Sequence, residues 1–362
     1  MASYEVDKNM LICDVIGEED VVLYAVRHDP FDVYGLYNYR NEPVFKRLPD
    51  EIGKNVNNGV AKLYLNTAGG RVRFATDSLY VAISAKMPQI SHMPHMPLFG
   101  SAGFDLYLDD PETGDSRYFE TFKPKVGFKE GYEFKIKFRD RKLRYLTINF
   151  PSYSDVASLH VGLQKDAVVD HGLKYRDVAP IVYYGSSITQ GGCSSRPGNA
   201  FANIVSRRTN TDFINLGFSG SGCGEELIAR YMAELDMSVF IADYDHNAPS
   251  AEHLATTGER MYRIIREKHP TLPYLFISRP DFNTRWYDDN LKRRDSVYDV
   301  YRKAVAEGDK NVYFIDGSSI FRGDESDMAT VDGTHPNDYG FYLMAKAVES
   351  ELFWIWRSKN IR

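Results

Sequence analysis

The spacing of apolar residues changes near Val178, and that change limits the chain to a two-part architecture. Upstream, Tyr132, Phe134, Ile136 and Phe138 alternate with Glu133, Lys135, Lys137 and Arg139. A period of two puts one face of a strand in a core and the other in water. The segments Val22–Val26, Lys62–Leu65, Arg71–Phe74 and Tyr145–Phe150 read in the same way. Turn signals such as Asn57-Asn58-Gly59 and Gly69-Gly70 separate them. Many short strands broken by turns predict an antiparallel β-sandwich of jelly-roll type. On this reading Arg71 and Arg73 lie on a solvated strand face.

Downstream, short apolar runs alternate with helical patterns. The runs are Ile181–Tyr184, Phe213–Leu216, Val239–Ala242, Tyr274–Ser278 and Val312–Asp316. Between them, Leu227, Ile228, Tyr231, Met232 and Leu235 fall on one helical face, and Phe341–Trp356 reads as an apolar helix. Strand–helix alternation predicts an α/β domain, a parallel sheet with helices on both faces. The 362 residues suit about two domains. The join falls near residues 165–180, giving a β domain over 1–175 and an α/β domain over 176–362.

Charge and composition exclude several functions. The net charge is -6, and no basic run marks a nucleic-acid or anionic-membrane surface. No apolar stretch approaches the ~20 residues that span a bilayer. The three cysteines, Cys13, Cys193 and Cys223, are too few for a disulfide framework and form no Cys-x-x-Cys pair. Small buried thiols are the expectation for Cys193 and Cys223. The N-terminal residues do not read as a secretory signal, so the expected compartment is the cytoplasm. His92-Met93-Pro94-His95 has a metal-like spacing, but Pro94 rules out a helical ligand pair and the segment reads as an ordinary loop. No metal and no cofactor are expected; an oligomer is compatible with the sequence.

In an open parallel sheet, ligands bind beyond the carboxyl ends of the strands. The loops there are rich in chemistry. The first carries Gly185-Ser186-Ser187-Ile188-Thr189, the second Gly217-Phe218-Ser219-Gly220-Ser221-Gly222, and the third Asp245-His246-Asn247. Asp332-Gly333-Thr334-His335-Pro336 precedes the last helix. Acyl transfer needs a nucleophile, a base, a group that orients the base, and donors for the oxyanion. Ser187 at a strand-to-helix turn suits the first role and its backbone N–H the last. His335 suits the second role, and Asp332 can hold its other ring nitrogen. Gly220 offers a backbone N–H and Asn247 a side-chain amide. Taken singly, the serine could merely cap a helix and Asp332 could cap the last one. Together, in this order and after these strands, they point to one site. His246 is expected at its rim. Arg196 suits substrate contact or loop bracing equally, and Trp286 and Tyr287 suit a pocket wall or local packing.

These four blocks resemble those of the SGNH (GDSL-like) hydrolases, with Gly185-Ser186-Ser187-Ile188-Thr189 as the first and Asp332-Gly333-Thr334-His335-Pro336 as the last. The resemblance spans about residues 180–356. Gly103-Phe104-Asp105-Leu106-Tyr107 is similar to the GxDLY element of a β domain that precedes some of these enzymes. The departures are Ser186 where Asp is usual and Asp245-His246-Asn247 where Gly-x-Asn is usual. The resemblance implies a flavodoxin-like hydrolase domain. It implies a serine esterase with Ser187, His335 and Asp332 as catalytic residues and an oxyanion hole of Ser187, Gly220 and Asn247. It also implies a short-chain, acetyl-type ester of a small molecule or oligosaccharide as substrate. Two other readings are a lipid or thioester hydrolase and a catalytically silent carbohydrate-binding protein.

Overall fold

The computed structural model describes residues 15–284, 288–323 and 326–359. Among the described residues, the first half holds ten strands: β1 (Val21–Ala25), β2 (Asp32–Tyr34), β3 (Arg71–Thr76), β4 (Tyr80–Lys86), β5 (Phe104–Asp109), β6 (Ser116–Phe122), β7 (Gly131–Lys137), β8 (Arg144–Asn149), β9 (Ser158–Gln164) and β10 (Val169–His171). They form two antiparallel sheets, one in the order β1-β9-β4-β7 and one in the order β10-β3-β8-β5-β6 with β2 paired to β3. One core lies between the sheets. Phe74, Phe104 and Ile148 come from one face; Ile83, Phe134 and Val161 come from the other. The alternation at Tyr132–Arg139 is strand β7, at the sheet edge, where lysines on the wet face discourage pairing with another chain.

The outer face of the larger sheet is not wet. Arg71, Arg73, Asp105, Tyr107, Thr147 and Asn149 alternate with core residues along β3, β5 and β8, yet all are buried. The second half of the chain covers them. Arg71 pairs with Asp212 and donates to the Phe213 carbonyl. Arg73 pairs with Asp109 within the sheet. The expectation of a solvated face for Arg71 and Arg73 is therefore corrected. An alternating polar face looks the same in sequence whether water or a polar interface lies against it.

Lys62–Leu65 is also corrected: Val60–Leu63 is a short helix. Asn57 Oδ1 accepts from the N–H groups of Gly59 and Val60, so the Asn-Asn-Gly segment starts a helix where a turn between strands was expected. Arg47, fully buried nearby, donates to the carbonyls of Leu63, Asn66, Asn215 and Gly217 and so ties both halves of the chain together.

Among the described residues, the second half holds five parallel strands: β11 (Ile181–Gly185), β12 (Phe213–Gly217), β13 (Val239–Asp243), β14 (Tyr274–Ile277) and β15 (Val312–Ile315). Their order is β12-β11-β13-β14-β15. Side chains alternate between two cores. Val182 and Tyr184 join one with the helices Glu226–Ala233 and Ala251–Lys268. Ile181 and Tyr183 join the other with Phe201–Thr209 and Asp338–Ser358. Strand order reverses at β11, so β11 lies at the switch point where a crevice opens beyond the strand ends. Among the described residues, no helix is long and apolar enough to cross a membrane.

Candidate active site

Strand β11 ends at Gly185, where side-chain space is absent: a Cβ would stand 2.1 Å from Thr189 Oγ1 and 2.2 Å from the Asp243 carbonyl oxygen. Ser186 caps the helix Ser187–Gln190 by accepting from the Ile188 N–H, and Gly191 closes it in the left-handed region at φ 107°. Ser187 is therefore the first residue of a helix, whose leading N–H groups have no partner within the helix. Only 7% of the residue is exposed. Thr189 donates to Asp243 at 2.9 Å, locking the turn against β13.

His335 reaches this serine from the loop before the last helix. Its Nε2 lies 3.0 Å from Ser187 Oγ. Its Nδ1 lies 2.7 Å from Asp332 Oδ2, while Asp332 Oδ1 accepts the backbone N–H groups of Thr334 and His335 at 3.0 and 2.7 Å. Burial alone would raise the Asp332 carboxyl. The donors of His335 and Thr334 outweigh it and hold the group below its ordinary value. The last helix is capped by Asn337, which accepts from Tyr339 and Gly340. Asp332 is thus free of a capping role. The two loops are joined through Cys193 N–H to the Pro336 carbonyl and through Ser195 to Asp338.

The other expected donors border the same strand end. Phe218–Gly222 makes a tight turn in which the N–H groups of Ser221 and Gly222 share the Phe218 carbonyl. Gly220 takes φ 66°, and a Cβ there would meet nothing within 4 Å. The Asn247 amide donates one hydrogen to the Phe218 carbonyl at 2.8 Å, leaving the other for a ligand. At Gly222 a Cβ would stand 2.2 Å from the Gly185 carbonyl oxygen and 3.6 Å from Asn247 Nδ2, so the loops after β11, β12 and β13 meet here.

His246 does not rim the site. Its side chain turns inward to Asp281 at 3.0 Å and is 6% exposed. Arg279 pairs with the same carboxylate at 2.7 Å, and Arg293 donates to the carbonyls of Asp245 and Ala248 at 2.9 Å. This buried ionic cluster grips the segment on both sides of Asn247. Burial pushes the neighbouring Asp243 carboxyl up to about 7.

Arg196 braces its loop: it pairs with the wholly buried Asp105 of the Gly103–Tyr107 element and bonds Tyr107. Asp105 also accepts from the Gly198 N–H at 2.9 Å. Trp286 and Tyr287 lie outside the described residues. Cys193 is buried and Cys223 half-buried, both as free thiols.

Sequence reasoning missed two residues that the β half supplies. The Tyr153 hydroxyl donates to the Ser187 carbonyl at 3.1 Å. The His95 ring lies 5.5 Å from the His335 ring, tilted by 47°. Tyr153 comes from a loop with no local motif and His95 from one whose spacing suggested only a metal pair; the folded interface brings both to the site.

Residues 178–352 match the model of the GDSL-like lipase/acylhydrolase family, and residues 23–169 match that of the GxDLY N-terminus of SGNH-hydrolase-type esterases. No curated protein matches the chain in sequence. Among solved structures, a chain assigned as a GDSL-like lipase from Bacteroides ovatus ATCC 8483 shares 26% identity at a TM-score of 0.83, covering 93% of this chain and 98% of that one. The salicylyl-acyltransferase SsfX3 from a tetracycline biosynthetic pathway shares 20% identity at 0.75, with coverage of 93% and 98%. The acetyl xylan esterase Est2A from Butyrivibrio proteoclasticus shares 11% at 0.56, with coverage of 92% and 97%. The last two share the fold. With both halves matched by family models, the chain belongs to the SGNH (GDSL-like) lipase/acylhydrolases, carboxylic ester hydrolases in which a GxDLY-type β domain precedes the hydrolase domain.

Proposed function

We propose that this enzyme hydrolyses short-chain carboxylic esters, acetyl esters foremost, through an acyl-enzyme on Ser187. The observation that carries the reading is the unbroken hydrogen-bonded chain from Ser187 Oγ through the His335 imidazole to Asp332. Ser187 Oγ attacks the ester carbonyl carbon while His335 Nε2 takes its proton. Asp332 keeps the Nδ1–H tautomer and stabilises the imidazolium that forms. The oxyanion falls to the N–H groups of Ser187 and Gly220 and the free amide hydrogen of Asn247. His335 returns its proton to the departing alkoxide. It then activates a water that cleaves the acyl-enzyme to acid and free Ser187.

A small acyl group suits the glycine-built loops Gly191-Gly192 and Gly220–Gly222. A sugar ester is the first alcohol to test because the fold is shared with carbohydrate esterases such as Est2A. The two halves act as one unit, divided at residues 175 and 176 between the last antiparallel strand at His171 and the first parallel strand at Ile181. The free thiols suit a reducing compartment, the cytoplasm. The test is kcat/KM for nitrophenyl acetate, butyrate, octanoate and palmitate, followed by acetate release from acetylated xylo-oligosaccharides. We expect the acetate to lead. A rise from acetate through octanoate would refute the short-acyl assignment, and no release from any sugar acetate would remove the carbohydrate.

A further inference from the structure

The His92-Met93-Pro94-His95 loop has no part in the ester chemistry, yet it sits against the site. Potential ligand atoms of His95, Cys193 and His335 all lie within 4.8 Å of one another. The three residues come from different parts of the chain, and their burial is graded. His95 is exposed, His335 half-buried and Cys193 buried. Met93 and Met96 pack around Cys193 together with Tyr153, so the thiol sits among soft thioethers.

We propose that His95, Cys193 and His335 bind a soft divalent metal ion such as Zn²⁺, and that filling this site switches the esterase off. Two imidazoles and a thiolate are a donor set that Zn²⁺ accepts, with a fourth position left for water or Ser187 Oγ. Asp332 already prepares the second ligand. A metal-binding histidine ordinarily gives its other N–H to a carboxylate, which fixes the tautomer and raises its basicity. His335 does so with Asp332 at 2.7 Å, leaving the Nε2 lone pair toward Ser187. Ligands of a tetrahedral zinc ion stand about 3.5 Å apart at ordinary bond lengths. Closing from the present spacing takes a shift of about 1 Å, which the exposed His95 loop can supply. On coordination Cys193 Sγ–H releases its proton to solvent, and the Ser187–His335 hydrogen bond is replaced by a metal–Nε2 bond. The nucleophile then has no base. The inhibition rests on the catalytic reading of His335 given above; the binding does not.

The two parts are tested separately on the full chain. Titration with Cd²⁺ should raise a thiolate-to-metal charge-transfer absorption that saturates at one equivalent and is displaced by Zn²⁺. Cys193→Ser should abolish the band, while Cys223→Ser and Ser187→Ala should keep it. His95→Ala, at an exposed position that leaves folding intact, should weaken Zn²⁺ binding by at least about tenfold in calorimetry. In esterase assays Zn²⁺ should inhibit the wild type reversibly, with a chelator restoring activity, and His95→Ala should resist it. A band that survives Cys193→Ser, or Zn²⁺ affinity unchanged in His95→Ala, would overturn the site. A normal band on a protein with no esterase activity would uphold the site and sink the catalytic reading. Full activity without a band would do the reverse.

Discussion

The Tyr153 hydroxyl donates a hydrogen bond to the backbone carbonyl of Ser187 across the boundary between the two halves, at 3.1 Å. The residue is 4% exposed, and burial pushes its phenol well above the ordinary value, so it remains a donor. A β-domain side chain thus holds the backbone of Ser187, the proposed nucleophile. Tyr153→Phe removes one buried hydrogen bond and should cost about 1 kcal/mol of stability. It should also lower kcat by about tenfold, because the serine turn loses its anchor. Chemical denaturation and steady-state kinetics on the same variant check both. An unchanged kcat with reduced stability would leave Tyr153 as packing alone.

Ser187→Ala should lower kcat by several orders of magnitude with no loss of fold. Asp332→Asn keeps the shape but removes the acceptor that fixes the His335 tautomer, and about a 10⁴-fold loss is expected. A fluorophosphonate probe should label Ser187 in the wild type, as mapped by mass spectrometry. Label on another serine would redirect the mechanism.

Asn247→Ala should cost about 10²–10³ in kcat, the usual loss for one oxyanion donor. The side chain also bonds the Phe218 carbonyl, so KM and stability are measured beside kcat. Near-normal kcat would mean that the oxyanion is held by other groups.

The His246–Asp281 pair makes a pH-dependent contribution to stability. Burial by itself would lower the His246 imidazole; the Asp281 carboxylate beside it reverses this and holds it above its ordinary 6.5. The native state therefore keeps a proton that the unfolded chain has shed. The stabilisation is complete below about pH 6.5 and is lost as pH rises through the higher native value. Asp281 shifts the opposite way: burial would raise it, but His246 and Arg279 outweigh that and depress it. Its contribution is present above the ordinary carboxylate range and lost in acid. In Asp281→Asn, burial governs His246 and moves it below its ordinary value. The melting temperature of the wild type should fall from neutral to alkaline pH more steeply than that of the variant. Parallel curves from about pH 6 to 9 would show that the pair does not titrate as argued.

How much was legible in the sequence depended on how local the signal was. The five parallel strands, the helix at Glu226–Ala233 and the apolar C-terminal helix were written in residues close together, because hydrophobic periodicity reports a secondary structure and its buried face directly. The four blocks were legible for the same reason: three follow their own strands, the last precedes the final helix, and the switch-point rule gathers such loops at one edge. Short windows failed. Lys62–Leu65 is too brief to separate period two from a helical turn, and the cap at Asn57 decided for the helix.

The sequence by itself determined the two-part architecture and a family-like set of residues for ester chemistry. Only the tertiary structure decided what lies against them. Arg71 and Arg73 alternate with core residues as a wet face would, yet the second half of the chain buries them. His246 looks like a rim residue beside Asn247 but is drawn inward by Asp281, 35 positions further along the chain. Tyr153 and His95 reach the site from another domain. The physical reason is common to all of them. Periodicity and motifs encode interactions between near neighbours, whereas a buried ion pair or a cross-domain hydrogen bond depends on which surfaces meet once both cores have formed.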